Sequence, residues 1–269
     1  MTHSSRRQWW TQGLALGATA TLPVGAQAGK VRHWVLVHGA WHGGWCWRKL
    51  VPKLASPGER VWTPTLTGLG DRAHLLRADV DLQTHVLDVC ALLEMEDLRD
   101  VVLVGHSYAG MVIAGVADRM PERLAQLIYL DAFMPDAGKA LRDYTAPAGA
   151  LAASAPPAPP APPRDWRVPP RQTARDFGIE DPVEAAWVQE RLRPQSALTF
   201  VQPLPLREGF PHGVRRAYIR CTDDPWFVEA AERAARQGAV VRELRGHGHD
   251  AMWTAPAALA RLLTELVGA

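Results

Sequence analysis

Apolar positions along this chain fall into two kinds of run that alternate. Val101-Val102-Leu103-Val104 is unbroken and mostly β-branched, as a strand buried on both faces of a parallel sheet requires. Shorter or interrupted apolar runs predict strands over 31–38, 60–65, 127–131, 216–220 and 239–244. Between them the apolar residues are spaced for helices. Leu82, Val86, Val89, Leu92 and Leu93 predict a helix over 82–93. Residues 46–54 read as an amphipathic helix, 109–115 as a small-residue helix ending before Pro121, and 256–267 as a closing helix. Strands that alternate with helices imply a mostly parallel sheet with helices on its faces and right-handed crossovers.

The central run ends in Gly105-His106-Ser107-Tyr108-Ala109-Gly110. Strand, sharp turn and helix with a serine at the tip is the geometry that a serine nucleophile needs. The turn exposes the hydroxyl above the sheet, aims the first helical amides at it, and needs small residues where strand and helix cross. An ordinary turn with a capping serine is the competing reading.

The alternation breaks after residue 131. Residues 146–170 carry Ala-Pro-Pro-Ala-Pro-Pro-Ala-Pro-Pro and little else, a polyproline-leaning stretch with no core of its own. Residues 173–192 have weak helical character. Because strands resume at 216, residues 132–211 are expected to be a lid inserted into a core formed by 29–131 and 212–269, in preference to a linker between two domains. Shortening 155–163 should leave stability nearly unchanged. At the other end, Arg6-Arg7 before Trp9-Trp10, a short apolar middle and Ala26-Gln27-Ala28 describe a signal peptide over 1–28, of the twin-arginine type that exports folded bacterial proteins. The mature chain is then expected in the periplasm or outside the cell, and an intact mass lacking about the first 28 residues would test this.

Charge narrows the partners. The 30 basic and 28 acidic residues leave +2, and the surplus lies at Arg6 and Arg7, so the remainder is balanced. Neither nucleic acid nor an anionic membrane surface is indicated, and the apolar part of the leader is too short for a membrane anchor. Of the eleven scattered tryptophans, Trp41 is singled out as a pocket residue. Cys46, Cys90 and Cys221 have no metal-type spacing and are expected as three buried thiols.

A serine hydroxyl needs a base, an acid to orient the base, and donors for the oxyanion. Asp131, Asp223 and Asp224 follow strands, as does Gly246-His247-Gly248-His249-Asp250. Such loops at the carboxyl ends of strands are where doubly wound sheets place their sites. His38-Gly39-Ala40 follows the first strand and offers a further amide. The histidines at 38, 42, 106, 247 and 249 could instead collect a metal, but no ligand spacing supports it and the serine would be unexplained.

Val35–Trp47, Pro64–Arg72, Val104–Gly110 and Tyr129–Phe133 together resemble the plant methylesterase and hydroxynitrile lyase family, with its salicylate-binding esterases and bacterial relatives. The likeness runs from about 31 to 265 and is poor in the Pro-rich stretch. It implies the α/β-hydrolase fold and no cofactor or metal. Ala109 replaces the second glycine of the family's G-x-S-x-G. The resemblance makes Ser107 the nucleophile, His249 the base and, from Cys-Thr-x-Asp, Asp224 the orienting acid, with Asp223 left to cap the helix at Pro225. It places the oxyanion amides on Ala40 and Tyr108, with Trp41 and Phe133 as pocket residues. The implied activity is hydrolysis of a small apolar or aromatic carboxylic ester. The lyase branch carries Thr and Lys where this chain has Gly39 and Asp250, which turns the reading away from cyanohydrin chemistry. A lyase, or a small-molecule receptor on the same fold, is the alternative.

Overall fold

The computed structural model describes residues 32–145 and 164–268. Strand β1 (Arg32–Val37) leads through a 3-10 turn to a short helix, α1 (Val51–Leu54), then β2 (Glu59–Trp62), α2 (Leu82–Met95), β3 (Val101–His106), α3 (Ala109–Arg119) and β4 (Leu124–Leu130). An insertion follows, with α4 (Arg142–Thr145), β5 (Arg167–Val168), α5 (Pro182–Gln189), β6 (Gln195–Ser196) and α6 (Leu198–Val201). The chain returns through β7 (Arg215–Cys221), α7 (Val228–Arg236), β8 (Val240–Leu244), α8 (Ala251–Thr254) and α9 (Pro256–Gly268).

The main sheet has six strands in the order β2-β1-β3-β4-β7-β8, every neighbouring pair parallel. The period of two in each strand divides the core. Val101, Leu103, Leu127 and Tyr129 face one layer with Val86, Val89 and Val112, from α2 and α3. Val102, Val104, Ile128 and Leu130 face the other, with Leu54, Leu259 and Leu263. All of β3 is buried, which is why its sequence is an unbroken apolar run. The α2 helix starts on a capping box: Thr84 N–H donates to Asp81 at 2.8 Å, and Asp81 N–H donates to the Thr84 hydroxyl at 3.4 Å.

Three expectations change. The helix expected over 46–54 divides into a 3-10 turn (Gly44–Trp47) and α1, because Pro52 fits only a first helical turn. Residues 173–192 form one helix, α5, which begins where Asp181 accepts from the amides of Val183 and Glu184. The helix expected from Pro225 starts at Val228, and no side chain caps it. Asp223 is exposed, while Asp224 turns inward and accepts the Trp226 N–H at 2.8 Å.

The insertion closes over the carboxyl ends of the strands with a small core of its own. Phe177, Ile179, Val188 and Leu192 pack on Trp253, with Trp45 and Trp187 beside them. Cys46, Cys90 and Cys221 are free and buried. No helix among the described residues is long and apolar enough to cross a membrane. The expected signal peptide and residues 146–163 of the Pro-rich stretch lie outside the described residues.

Candidate active site

Sheet order places the ends of β3, β4 and β7 side by side, and each carries a candidate residue: Ser107, Asp131 and Asp224. Ser107 sits at φ 56°, a left-handed conformation that costs an L-residue roughly 1–2 kcal/mol. Three backbone bonds fix it there. Its N–H donates to Leu130 O at 3.2 Å, and its carbonyl accepts from Gly110 and Phe133, both at 3.1 Å. Strain held in this way is characteristic of functional positions.

Two glycines permit the turn. A Cβ on Gly105 would come within 2.8 Å of Ala109 O, and one on Gly110 within 1.8 Å of Phe133 O. The residue that must lack a side chain is therefore Gly110, which explains why alanine is accepted at 109. Gly110→Ala is expected to push α3 off the β4 end and cost about 1–3 kcal/mol. Thermal unfolding checks this, and an unchanged melting temperature would contradict it.

The loop after β1 lies against this turn. A Cβ on Gly39 would be 2.9 Å from both Ser107 Cβ and His106 Nδ1, so the loop approaches the serine through a residue without a side chain. His38 donates from Nδ1 to Gly39 O at 2.9 Å and accepts the Leu66 N–H on Nε2 at 3.0 Å. Burial holds its pKa down at about 3, so it is a neutral structural group. His42 Nδ1 donates to Ala40 O at 2.7 Å. The amides of Ala40 and Tyr108 donate to no acceptor among the described residues.

His249 is buried between aromatic rings. Phe227 stacks on it at 5.2 Å and 2°, and Phe177 lies 5.9 Å away. Its Nδ1 faces two carboxylates, Asp131 Oδ2 at 2.7 Å and Asp224 Oδ2 at 3.1 Å. Burial opposes the imidazolium, but the bonds to Asp131 and Asp224 outweigh it and raise the pKa to about 10. Burial raises the Asp131 pKa, and the bond to His249 offsets only part of that. For Asp224 burial works the same way, but the His249 bond prevails and the pKa is lowered. Asp131 is itself left-handed, at φ 43°, and its second oxygen takes the Cys221 N–H at 3.0 Å.

Behind His249 is a second buried set. His106 Nε2 donates to His249 O at 3.0 Å, and His42 Nε2 to Asp250 Oδ2 at 3.0 Å. Burial disfavours the Asp250 charge, yet His42 and His106 hold its pKa below the usual carboxylate range. His38, His42 and His106 are thus committed to hydrogen bonds rather than gathered as ligands. The donor group with ion-holding geometry among the described residues is Asp131, Asp224 and His249, where both carboxylates already face the same ring nitrogen.

The expected pocket residues lie on two loops beside the serine turn. Phe133 bonds Ser107 through its amide and meets Phe227 at 5.0 Å. Trp41 lies 6.1 Å from Phe200, which lies 5.8 Å from Tyr108. A cleft of about 550 Å³, walled by Ile179, Glu184 and Trp226, opens onto Asp224 and His249 from outside.

The structure therefore sets Ser107, His249, Asp224, Ala40, Tyr108, Trp41 and Phe133 on loops and turns at the carboxyl end of the sheet. It adds Asp131, which the motif had set behind Asp224, and Gln195, from a stretch with no motif.

A profile described as the alpha/beta hydrolase family matches residues 34–262. The carbendazim hydrolyzing esterase of Nocardioides sp. (strain SG-4G) is 38% identical over 247 residues, covering 87% of this chain and 99% of that protein. Salicylic acid-binding protein 2 of Nicotiana tabacum is 30% identical over 255 residues, covering 87% and 96%. Among solved structures, an extracellular alpha/beta-hydrolase from a Paenibacillus species superposes with a TM-score of 0.70 at 23% identity, over 87% of this chain and 98% of that one. Esterase activity on this fold is supported by the carbendazim-hydrolysing relative and by methylesterases of Arabidopsis thaliana.

Proposed function

This chain belongs to the alpha/beta hydrolase family, and within it we propose a serine esterase acting on small apolar or aromatic carboxylic esters. The observation that carries the proposal is a strained serine, a carboxylate-bound imidazole and two amides with no acceptor among the described residues, all at the carboxyl end of the parallel sheet. In the proposed reaction His249 Nε2 takes the Ser107 proton as Oγ attacks the ester carbonyl. The carbonyl oxygen gains the electron pair and is held by the amides of Ala40 and Tyr108. Collapse of the tetrahedral intermediate breaks the ester C–O bond, and His249 returns the proton to the departing alcohol. Water, deprotonated by His249, then attacks the acyl-enzyme, releasing the acid and restoring Ser107.

The ring pairs Trp41–Phe200 and Phe133–Phe227 support an apolar or aromatic acyl or alcohol group. Export through the twin-arginine signal remains part of this proposal. A lyase would need a cation after the catalytic histidine, whereas Asp250 is an acid bonded to His42. The deciding experiment is a panel of methyl and aryl esters of varied acid size, with p-nitrophenyl acetate as generic substrate and mandelonitrile as control. Ester turnover without cyanide release is the expected result. Cyanide release favours the lyase, and no turnover of any ester favours a binding protein.

A further inference from the structure

Trp41 follows the proposed oxyanion residue Ala40 and is itself held at φ 63°. A bulky aromatic residue rarely adopts this conformation and stays in it only when its surroundings impose it. All of its hydrogen-bonding groups are engaged by the insertion. Its backbone N–H donates to Gln195 Oε1 at 3.1 Å, its carbonyl accepts the Arg193 N–H at 2.9 Å, and its indole N–H donates to Val168 O at 3.2 Å.

Gln195 is buried, and its amide has one workable orientation. The Thr199 hydroxyl donates its single proton to Ser196 O at 2.7 Å, so it accepts from Gln195 Nε2, also at 2.7 Å. That leaves Oε1 for the Trp41 amide. A flipped side chain would put its NH₂ against an N–H and its oxygen against a hydroxyl with no proton to give.

On these contacts, and resting on the esterase reading above, we propose that Gln195 is a positioning residue: it holds Trp41 in its left-handed conformation and so aims the Ala40 amide at the developing oxyanion. The insertion thereby takes part in transition-state stabilisation without touching the reacting atoms. Ala40 O is tied to His42 on the other side, so the Ala40–Trp41 peptide, which directly follows the one carrying the Ala40 N–H, is fixed from the core and from the insertion together.

The test compares Gln195→Met, which keeps the length and removes the acceptor, with Thr199→Val, which removes the partner that orients Gln195 together with its bond to the Tyr108 side chain. Three quantities are read: kcat, KM for p-nitrophenyl acetate, and Ki for a trifluoromethyl ketone, whose hemiketal oxygen occupies the oxyanion site. Loss of one oxyanion donor costs about 10²–10³ in kcat, and a donor that is displaced rather than removed costs less. Gln195→Met is expected to lower kcat about 10–100-fold, with KM nearly unchanged and Ki raised in parallel. Thr199→Val should move all three in the same direction by a smaller factor, and it carries the test if Gln195→Met does not fold. A residue that only packs the insertion would leave Ki and kcat uncorrelated. An active wild type whose kcat and Ki are untouched by both substitutions overturns the proposal and leaves the esterase reading standing. A wild type inactive on every ester and unlabelled by a fluorophosphonate overturns both.

Discussion

Ser107→Ala is expected to lose nearly all ester turnover, about 10⁶-fold in kcat where a nucleophile serine has been removed from a comparable machinery. The fold should be unaffected. Ser107 makes its structural bonds through the backbone, and its hydroxyl makes no hydrogen bond among the described residues. Alanine retains the Cβ and with it the strain at φ 56°. Glycine does not, so Ser107→Gly should melt no lower than Ser107→Ala, the relief of about 1–2 kcal/mol meeting the entropic cost of a more flexible unfolded chain. Turnover assays with thermal unfolding of both variants check this. A fluorophosphonate that still labels the Ser107→Ala protein would place the nucleophile elsewhere.

The centre of the sheet was legible because β3 is buried on both faces and written as an apolar run. The run at 101–104 is a strand with every residue covered, and its end is the turn that the small residues at 105, 109 and 110 suggest. The family resemblance holds as well, since the profile match and the curated relatives extend over most of the chain. Local chemistry was harder to read. Whether 46–54 is one helix depends on Pro52 and on two glycines pressed against other backbone, as Gly44 is against Thr63 O. The insertion was the least legible part. Gln195 lies among short elements with no period, and its importance comes from meeting Trp41 across 154 positions of sequence. Motif spacing also favours one acid over another without knowing where either side chain goes. Asp131 ends a strand next to the serine's own, and its left-handed backbone, invisible in the sequence, turns its carboxylate toward His249.

Asp131→Asn and Asp224→Asn are each expected to lower kcat by about 10-fold or less, and the double substitution by about 10⁴, the loss seen when a triad aspartate is replaced and the imidazole takes the wrong tautomer. The argument is geometric. Both carboxylates lie within hydrogen-bonding reach of the same Nδ1, at 2.7 and 3.1 Å, so either one left alone still holds the proton on that nitrogen and the lone pair on Nε2. Losses that act through one shared proton do not add. Asp223→Asn, at an exposed position away from the ring, should keep its activity. The pH profile separates this arrangement from a triad with a single acid. Two carboxylates favour the imidazolium, and the base works only when neutral, so the acid limb of kcat/KM reports the raised macroscopic pKa of the trio. Removing one negative charge makes the imidazolium less favourable, which lowers that pKa and moves the acid limb to lower pH by about one unit or more. Either single substitution should shift it that way. If one of them reproduces the whole loss of the double variant while the other leaves both kcat and the acid limb in place, His249 is oriented by one carboxylate and the shared arrangement is wrong.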